Sequence, residues 1–528
     1  MSLIRFRIDG REAAAEPGTT LWEAARRLSI DIPTLCHRVP YEPVTSCMIC
    51  VVEDTATGRL LPACSMPAAE GMNIATDSAA VREARKAALE LLLSEHVGDC
   101  EAPCRRACPA YMDIPQMNRQ IARGRPEAAL ATIRRDIALP AVLGRICPAP
   151  CEKACHRRAA DGAVHICHLK RFAADADLAS SSPFRPDCRP PSGKKVAILG
   201  AGPAGLSAAY YLQIAGHGCR IFDRHPLPGG ALRYGVPPEA LDRSVLDAEI
   251  GRILALGALF HGERTLGQNL TCRELLESFD AIVLAMGSTE MSVLDGLGVE
   301  VRENRVVVAR GGHETGRPGI YAGGNMIGEG KMAIRAAAHG KAMAAAIDRS
   351  WHPREESAES VRRFHSVIGR LQQGEPEQFL QEAIADGPLA PPGGFSQGYP
   401  DEMAAREAAR CYQCDCRKKD CCLLRIYAGE YGSQPRRFKY GRRRSVRIVL
   451  EHPRISHEPG KCIRCGLCVR IAKAHEEEIG LAFVGRGFDM RVEAPFGESL
   501  DRALVKCARE CAESCPTAAL AFRERLEK

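Results

Sequence analysis

Cysteine placement constrains this chain more than any other feature: 25 cysteines occur among 528 residues, and most are gathered in short runs with gaps of a few residues. A disulfide framework tends to scatter its half-cystines, whereas thiols bunched at close spacing are what metal coordination requires. Residues Met1 to Gly10 read as an alternating strand and lack the apolar stretch and small-residue cleavage site of a secretory signal. No run approaches the roughly 18 consecutive apolar residues that span a bilayer. The expectation is therefore a cytoplasmic chain with reduced thiols and no direct membrane span. Its length implies roughly three or four domains, and a hydrophobic content of 45% supplies a core for each. A net charge of +7, from 72 basic and 65 acidic residues, does not point to nucleic acid. The one dense basic run, Arg436 to Arg444, reads as a solvated face or a dock for an acidic partner.

In residues 1–80 a strand, the Gly10 turn and a helix over Leu21–Leu28 precede Cys36, Cys47, Cys50 and Cys64, spaced C-x10-C-x2-C-x13-C. Four thiolates on a loop and its return suit a [2Fe-2S] cluster, although the first gap exceeds that of the plant-type spacing. Structural zinc would use the same donors. The segment resembles the N-terminal [2Fe-2S] domain of the large iron-sulfur subunit of complex I and of iron-only hydrogenases, which implies a β-grasp, ferredoxin-like fold and favours the cluster.

Residues 81–187 open with helical periodicity over Ala80–Leu93 and continue with Cys100, Cys104, Cys108, Cys147, Cys151, Cys155 and Cys167. Two [4Fe-4S] clusters take eight ligands; His96, four residues before Cys100, would complete the seven cysteines. His96 also reads as a histidine meeting the dipole of a helix C-terminus. Cys108-Pro109 followed by Gly144-Arg145-Ile146-Cys147-Pro148-Ala149-Pro150-Cys151-Glu152 resembles the helical cluster domain of the glutamate synthase small subunit and of dihydropyrimidine dehydrogenase. The resemblance implies Cys100, Cys104 and Cys155 around one cluster and Cys108, Cys147 and Cys151 around the other. Near Lys170 the family carries a Gln or Glu ligand, so Cys167, one turn earlier, takes that role here. The family's extra upstream cysteine is absent, which leaves His96 for the first cluster; a neutral imidazole there would raise its potential.

Residues 193–350 begin with an apolar strand running into Gly200-Ala201-Gly202-Pro203-Ala204-Gly205 and a helix over Leu206–Ala215. This G-x-G-x-x-G turn lets backbone approach a pyrophosphate at a helix N-terminus. A second strand ends at Asp223, beside Arg224, about 20 residues on, where an acid can accept ribose hydroxyls. The loop containing Gly230, Leu232, Gly235 and Val236 resembles the flavin-side loop of the glutamate synthase small subunit family, and Gly319-Ile320-Tyr321-Ala322-Gly323-Gly324-Asn325 resembles its closing FAD motif. There Asn325 stands in place of the family's Asp. Only about 30 residues separate the strand ending at Gly287 from the closing motif, where the family inserts a second Rossmann unit for NADPH. The expectation is a Rossmann-type FAD domain without its own nicotinamide site.

Residues 351–445 hold a Gly- and Pro-rich linker and then Cys411, Cys414, Cys416, Cys421 and Cys422. Cys411, Cys414, Cys416 and Cys422 offer one further site, for a [4Fe-4S] cluster, structural zinc or a redox-active thiol pair. In residues 446–528, Cys462, Cys465 and Cys468 form a bacterial ferredoxin run that Cys515-Pro516 completes. Ala472 replaces the run's fourth cysteine, and Cys507 and Cys511 have the wrong spacing, so one [4Fe-4S] cluster is expected where a two-cluster ferredoxin has two.

The fold class expected is multidomain α/β and α+β: a β-grasp domain, a helical double-[4Fe-4S] domain, a Rossmann-type FAD domain and a ferredoxin-like C-terminus. The function implied by the resemblance is an electron-transfer subunit with no catalytic residues of its own. It would relay electrons between a nicotinamide- or ferredoxin-linked module, similar to NADH dehydrogenase, and a catalytic partner such as a hydrogenase or formate dehydrogenase. A self-contained NAD(P)H-dependent oxidoreductase and a non-catalytic redox sensor or scaffold are the competing readings.

Overall fold

The computed structural model describes residues 3–328, 332–352, 364–439 and 441–524. Residues 353–363 of the expected linker and residue 440 of the basic run lie outside the described residues. The chain divides into two compact units that interleave in sequence: Met1–Glu101, Ser357–Gln381 and Cys414–Lys528 form the first, Ala102–Glu356 and Glu382–Gln413 the second.

The first unit begins with a five-stranded sheet of β1 (Ile4–Ile8), β2 (Arg11–Ala15), β3 (Val51–Asp54), β4 (Arg59–Pro62) and β5 (Asn73–Ala75), in the order β2-β1-β5-β3-β4. β1 and β5 run parallel, which gives the β-grasp arrangement. The tight β1–β2 turn is made by Asp9 and Gly10, both at positive φ, where glycine carries no Cβ penalty. Alternation places Phe6, Ile8, Ala13 and Ala15 on the buried face against helix Leu21–Arg27, whose start is fixed by a Thr20/Glu23 capping box. The next helix, Ala79–Ser94, packs on β3 and on helix Leu423–Glu430. Its buried Arg85 donates to the Val51 carbonyl and the Tyr431 hydroxyl at 2.9 and 2.8 Å. This helix, expected to open the helical cluster segment, therefore belongs to the first unit.

The second unit starts as short helices, among them Pro103–Ala107, Ile114–Ala122, Pro126–Arg134, Pro140–Ile146 and Ile166–Ala179. Four of these carry proline in the first turn, where its missing N–H costs no helical hydrogen bond. A parallel sheet follows, built from β6 (Lys195–Leu199), β7 (Gly218–Phe222), β8 (Leu259–His261), β9 (Ala281–Leu284) and β12 (Ile320–Ala322) in the order β12-β9-β6-β7-β8. Val196, Ala197, Ile198 and Leu199 are all buried, as a central parallel strand covered on both faces requires. Between β9 and β12 the chain makes one 3-10 turn, Met291–Leu297, and a hairpin of β10 (Val301–Arg302) and β11 (Arg305–Val306). No βαβ unit is inserted there.

The first unit is completed by β13 (Ile455–His457), β14 (Ala482–Val484), β15 (Arg491–Glu493) and β16 (Leu520–Phe522), paired β13 with β16 and β14 with β15, and by helices Leu467–Ala474 and Ala508–Ser514. Ile471, Ala472, Leu500, Leu504, Cys507 and Cys511 sit in its core. No helix among the described residues is long and apolar enough to cross a membrane.

Candidate cysteine and dinucleotide sites

In the first unit Cys36, Cys47, Cys50 and Cys64 are all buried on the loop that leaves the β-grasp sheet and its return. A hydrogen bond from Cys47 draws the Cys36 sulfur down to about 5, and one from Cys64 lowers Cys50. Cys36 raises Cys50 and Cys64 electrostatically, so the two pairs feel one another. Four convergent sulfurs in an apolar shell are the donor set of a cluster. Arg470, on the C-terminal helix of the same unit, donates to the carbonyls of Cys36, at 2.8 Å, and Glu42.

Cys462, Cys465, Cys468 and Cys515 line one cavity beneath His457, Leu467 and Pro516. Burial is the first cause that raises three of them, Cys462 to about 11 and Cys465 to about 12, with the neighbouring sulfurs adding to it. The Arg464 and Leu520 amides donate to the Cys462 and Cys515 sulfurs at 3.3 and 3.5 Å. Arg464 takes φ 54° to aim its amide inward, and Gln413 takes φ 52° at the same position of the Cys411–Cys414 loop. Such a conformation is uncommon for a residue with a side chain. Cys36 is one of the groups that raises Cys465, which makes the first two thiol sets neighbours.

Ala472 is 2% exposed, Cys507 and Cys511 lie 3.8 Å apart sulfur to sulfur, and the Cys511 thiol donates to the Cys468 carbonyl.

In the second unit Cys108, Cys147, Cys151 and Cys167 surround Lys170. Cys147 and Cys167 share a hydrogen bond, Cys151 interacts with Cys167, and the Lys170 ammonium lies 3.9 Å from the Cys167 sulfur. Burial opposes charge on Lys170, yet Cys167, Cys147, Cys151 and Cys108 together raise its pKa above the usual lysine value. The Glu152 carboxylate anchors the Cys167 amide at 2.8 Å. Elsewhere in this unit Cys155 is raised first by burial and then by Cys411, and the helix carrying Cys104 packs on helix Pro150–Lys153.

Cys100 has Cys416 and Cys422 as thiol neighbours within the first unit, and Cys155 has Cys411 within the second. Along the run from Cys411 to Cys422 the chain passes from one unit to the other after Gln413. Spacing along a strand of sequence carries no record of such a crossing.

The dinucleotide turn opens on a cavity of about 1250 Å³ lined by Gly200, Gly202, Pro203, Ala204, Asp223, Arg224, Gly230, Gly235, Gly287, Gly324 and Asn325. A Cβ on Gly200 would lie 2.3 Å from the Ala285 carbonyl, and one on Gly205 would lie 1.9 Å from the Gly200 carbonyl; Gly202 faces open space. These are the turn, close-packing and ligand-approach roles of the three glycines. Helix Pro203–Ile214 points its N-terminus at the cavity, where a phosphate would be stabilised. Asp223 accepts from the Ala201 amide at 2.7 Å and from His225, so it also braces the glycine turn, a role not read from the sequence. Asn325 donates to Ser288 at 2.7 Å. Leu232 is buried and Val236 accepts from Arg243, so both shape the loop without lining the cavity.

Comparison with known families matches this architecture piece by piece. Residues 2–79 match the 2Fe-2S iron-sulfur cluster binding domain, 74–182 the dihydropyrimidine dehydrogenase domain II, 4Fe-4S cluster, and 198–249 the NAD(P)-binding Rossmann-like domain. The chain is a multidomain iron-sulfur protein carrying a dinucleotide-binding Rossmann-like domain.

Among its relatives are the NADPH-Fe(3+) oxidoreductase subunit beta of Geobacter sulfurreducens, 40% identical over 35% of this chain and 28% of that one, and the NADP(+)-dependent formate dehydrogenase subunit beta of Moorella thermoacetica, 41% identical over 35% and 29%. The glutamate synthase [NADPH] small chain of Bacillus subtilis is 38% identical over 34% of this chain and 37% of its own. The chain thus spans under two-fifths of the length of each of these relatives.

Proposed function

We propose that the chain is an electron-relay subunit of a multisubunit cytoplasmic redox complex, with one [2Fe-2S] cluster held by Cys36, Cys47, Cys50 and Cys64, several [4Fe-4S] clusters and one FAD. When bound, these groups supply one-electron carriers and a centre that exchanges one electron or two. The observation that carries the reading is adjacency: Cys36, Cys47, Cys100, Cys422 and Cys465 share one buried core of the first unit, and Cys462, Cys468 and Cys515 pack against it. These thiols are buried or half-buried, which limits water and holds the donors in place. Two of the relatives are named as beta subunits of NADPH- or NADP(+)-dependent enzymes, which supports a partner subunit that handles the nicotinamide. The short segment between β9 and β12 supports the same division of labour.

The test is anaerobic co-purification from the native cell with iron, flavin and subunit analysis. The expected result is bound FAD, iron in large excess over flavin, a co-purifying redox subunit, and clusters that dithionite reduces and a dye reoxidises. Bleaching of the flavin by NADH or NADPH in the isolated chain would instead establish a self-contained oxidoreductase.

A further inference from the structure

Resting on the cluster reading above, we infer that His96, Cys100, Cys416 and Cys422 form one iron-sulfur site of three thiolates and one imidazole inside the first unit. The two stretches of backbone are tied directly: the Cys416 amide donates to the Cys100 carbonyl at 3.2 Å. The Ser366 amide donates to the Cys100 sulfur at 3.3 Å. Cys100, Cys416 and Cys422 are 7%, 8% and 6% exposed, and Cys422 has both other sulfurs among the groups that act on it.

The fourth corner is His96. Its Nδ1 is buried without a hydrogen-bond partner, the state of a ring nitrogen built to meet something absent from the chain itself. The loop from His96 to Cys100 is held against the C-terminal segment by Lys461. A Cβ on Gly98 would stand 2.6 Å from the Lys461 Cε, so the lysine stem lies across the loop at its one residue without a side chain. The Val97 amide donates to the Gly460 carbonyl at 2.7 Å. Lys461, 5% exposed and paired with Glu458 at 2.6 Å, extends its field to His96, Cys100 and Cys416. An imidazole in place of a thiolate removes one negative charge from the site, and Lys461 adds a positive one nearby. Both raise its reduction potential over that of an all-cysteine site.

The experiment uses the full chain, purified anaerobically, with iron analysis and pulsed EPR of the reduced protein. One [4Fe-4S] signal should carry a directly coordinated nitrogen coupling. His96→Cys should keep the iron content, lose that coupling and lower the potential of that signal alone. Cys100→Ser and Cys422→Ser should each delete the same signal, with a loss of about four iron atoms per chain, while Cys411→Ser leaves it intact. Retention of the [2Fe-2S] signal in every variant reports that the first unit has folded. Absence of nitrogen coupling in the wild type, or deletion of one and the same signal by Cys411→Ser and Cys422→Ser, overturns the inference while leaving the relay reading in place. A wild-type chain without iron overturns both.

Discussion

Lys170 is a buried ammonium among four sulfurs, 3.9 Å from that of Cys167. Removing it leaves four converging thiolates without a counter-charge, so Lys170→Met should speed iron loss to a chelator severalfold, read as iron per chain against time; unchanged loss would show that the charge is dispensable. His457 illustrates the opposite case. Burial pushes its pKa down to about 4, so the folded chain keeps it neutral while the unfolded chain protonates it near 6.5. A depressed histidine contributes its full stability above pH 6.5 and loses it as pH falls, at about 1.4 kcal/mol per unit until about pH 4. Thermal midpoints followed between pH 7.5 and 5.5 should therefore fall less steeply in His457→Phe than in the wild type. Lys170, Cys167 and His457 could all be seen in the sequence; that Lys170 and His457 are buried could not, because burial is a property of packing.

At the scale of elements, helix Ala333–Trp351 closes the dinucleotide cavity by lying on helix Pro203–Ile214, and Gly340 is the point of closest approach. A Cβ there would stand 2.2 Å from the Ala204 carbonyl, a contact that backbone cannot relieve locally. Gly340→Ala should cost about 1–3 kcal/mol by overpacking and weaken dinucleotide retention, measured together as thermal midpoint and bound flavin. In the C-terminal segment, Cys507 and Cys511 fill the volume around Ala472. Cys507→Ala should therefore leave the iron content unchanged while costing about 1 kcal/mol of cavity formation; a fall in iron would show that these sulfurs are ligands after all. That Ala472 breaks the ferredoxin run and that Cys507 and Cys511 are off its spacing was legible in the sequence. That all three sit in one buried core was not.

For the molecule, the first unit depends on segments at opposite ends of the sequence. Arg470 links the Cys36 loop to the helix that carries Cys468, through the carbonyls of Cys36 and Glu42. Arg470→Met should raise hydrogen exchange over residues 36–47 and slow electron transfer out of the [2Fe-2S] site, with a stability loss of about 1–3 kcal/mol; exchange confined to its wild-type level would show that other contacts hold the loop. The sequence by itself determined the local elements: the β-grasp strands, the glycine turn before its helix, the ferredoxin run and the missing nucleotide insert are each written within a few tens of residues, in hydrophobic period, turn chemistry and thiol spacing. Tertiary structure alone decided which distant cysteines become neighbours. Cys100 meets Cys416 and Cys422, and Cys155 meets Cys411, across hundreds of residues, because ligand convergence depends on which surfaces bury one another, and that is a sum over the whole core that no local spacing encodes.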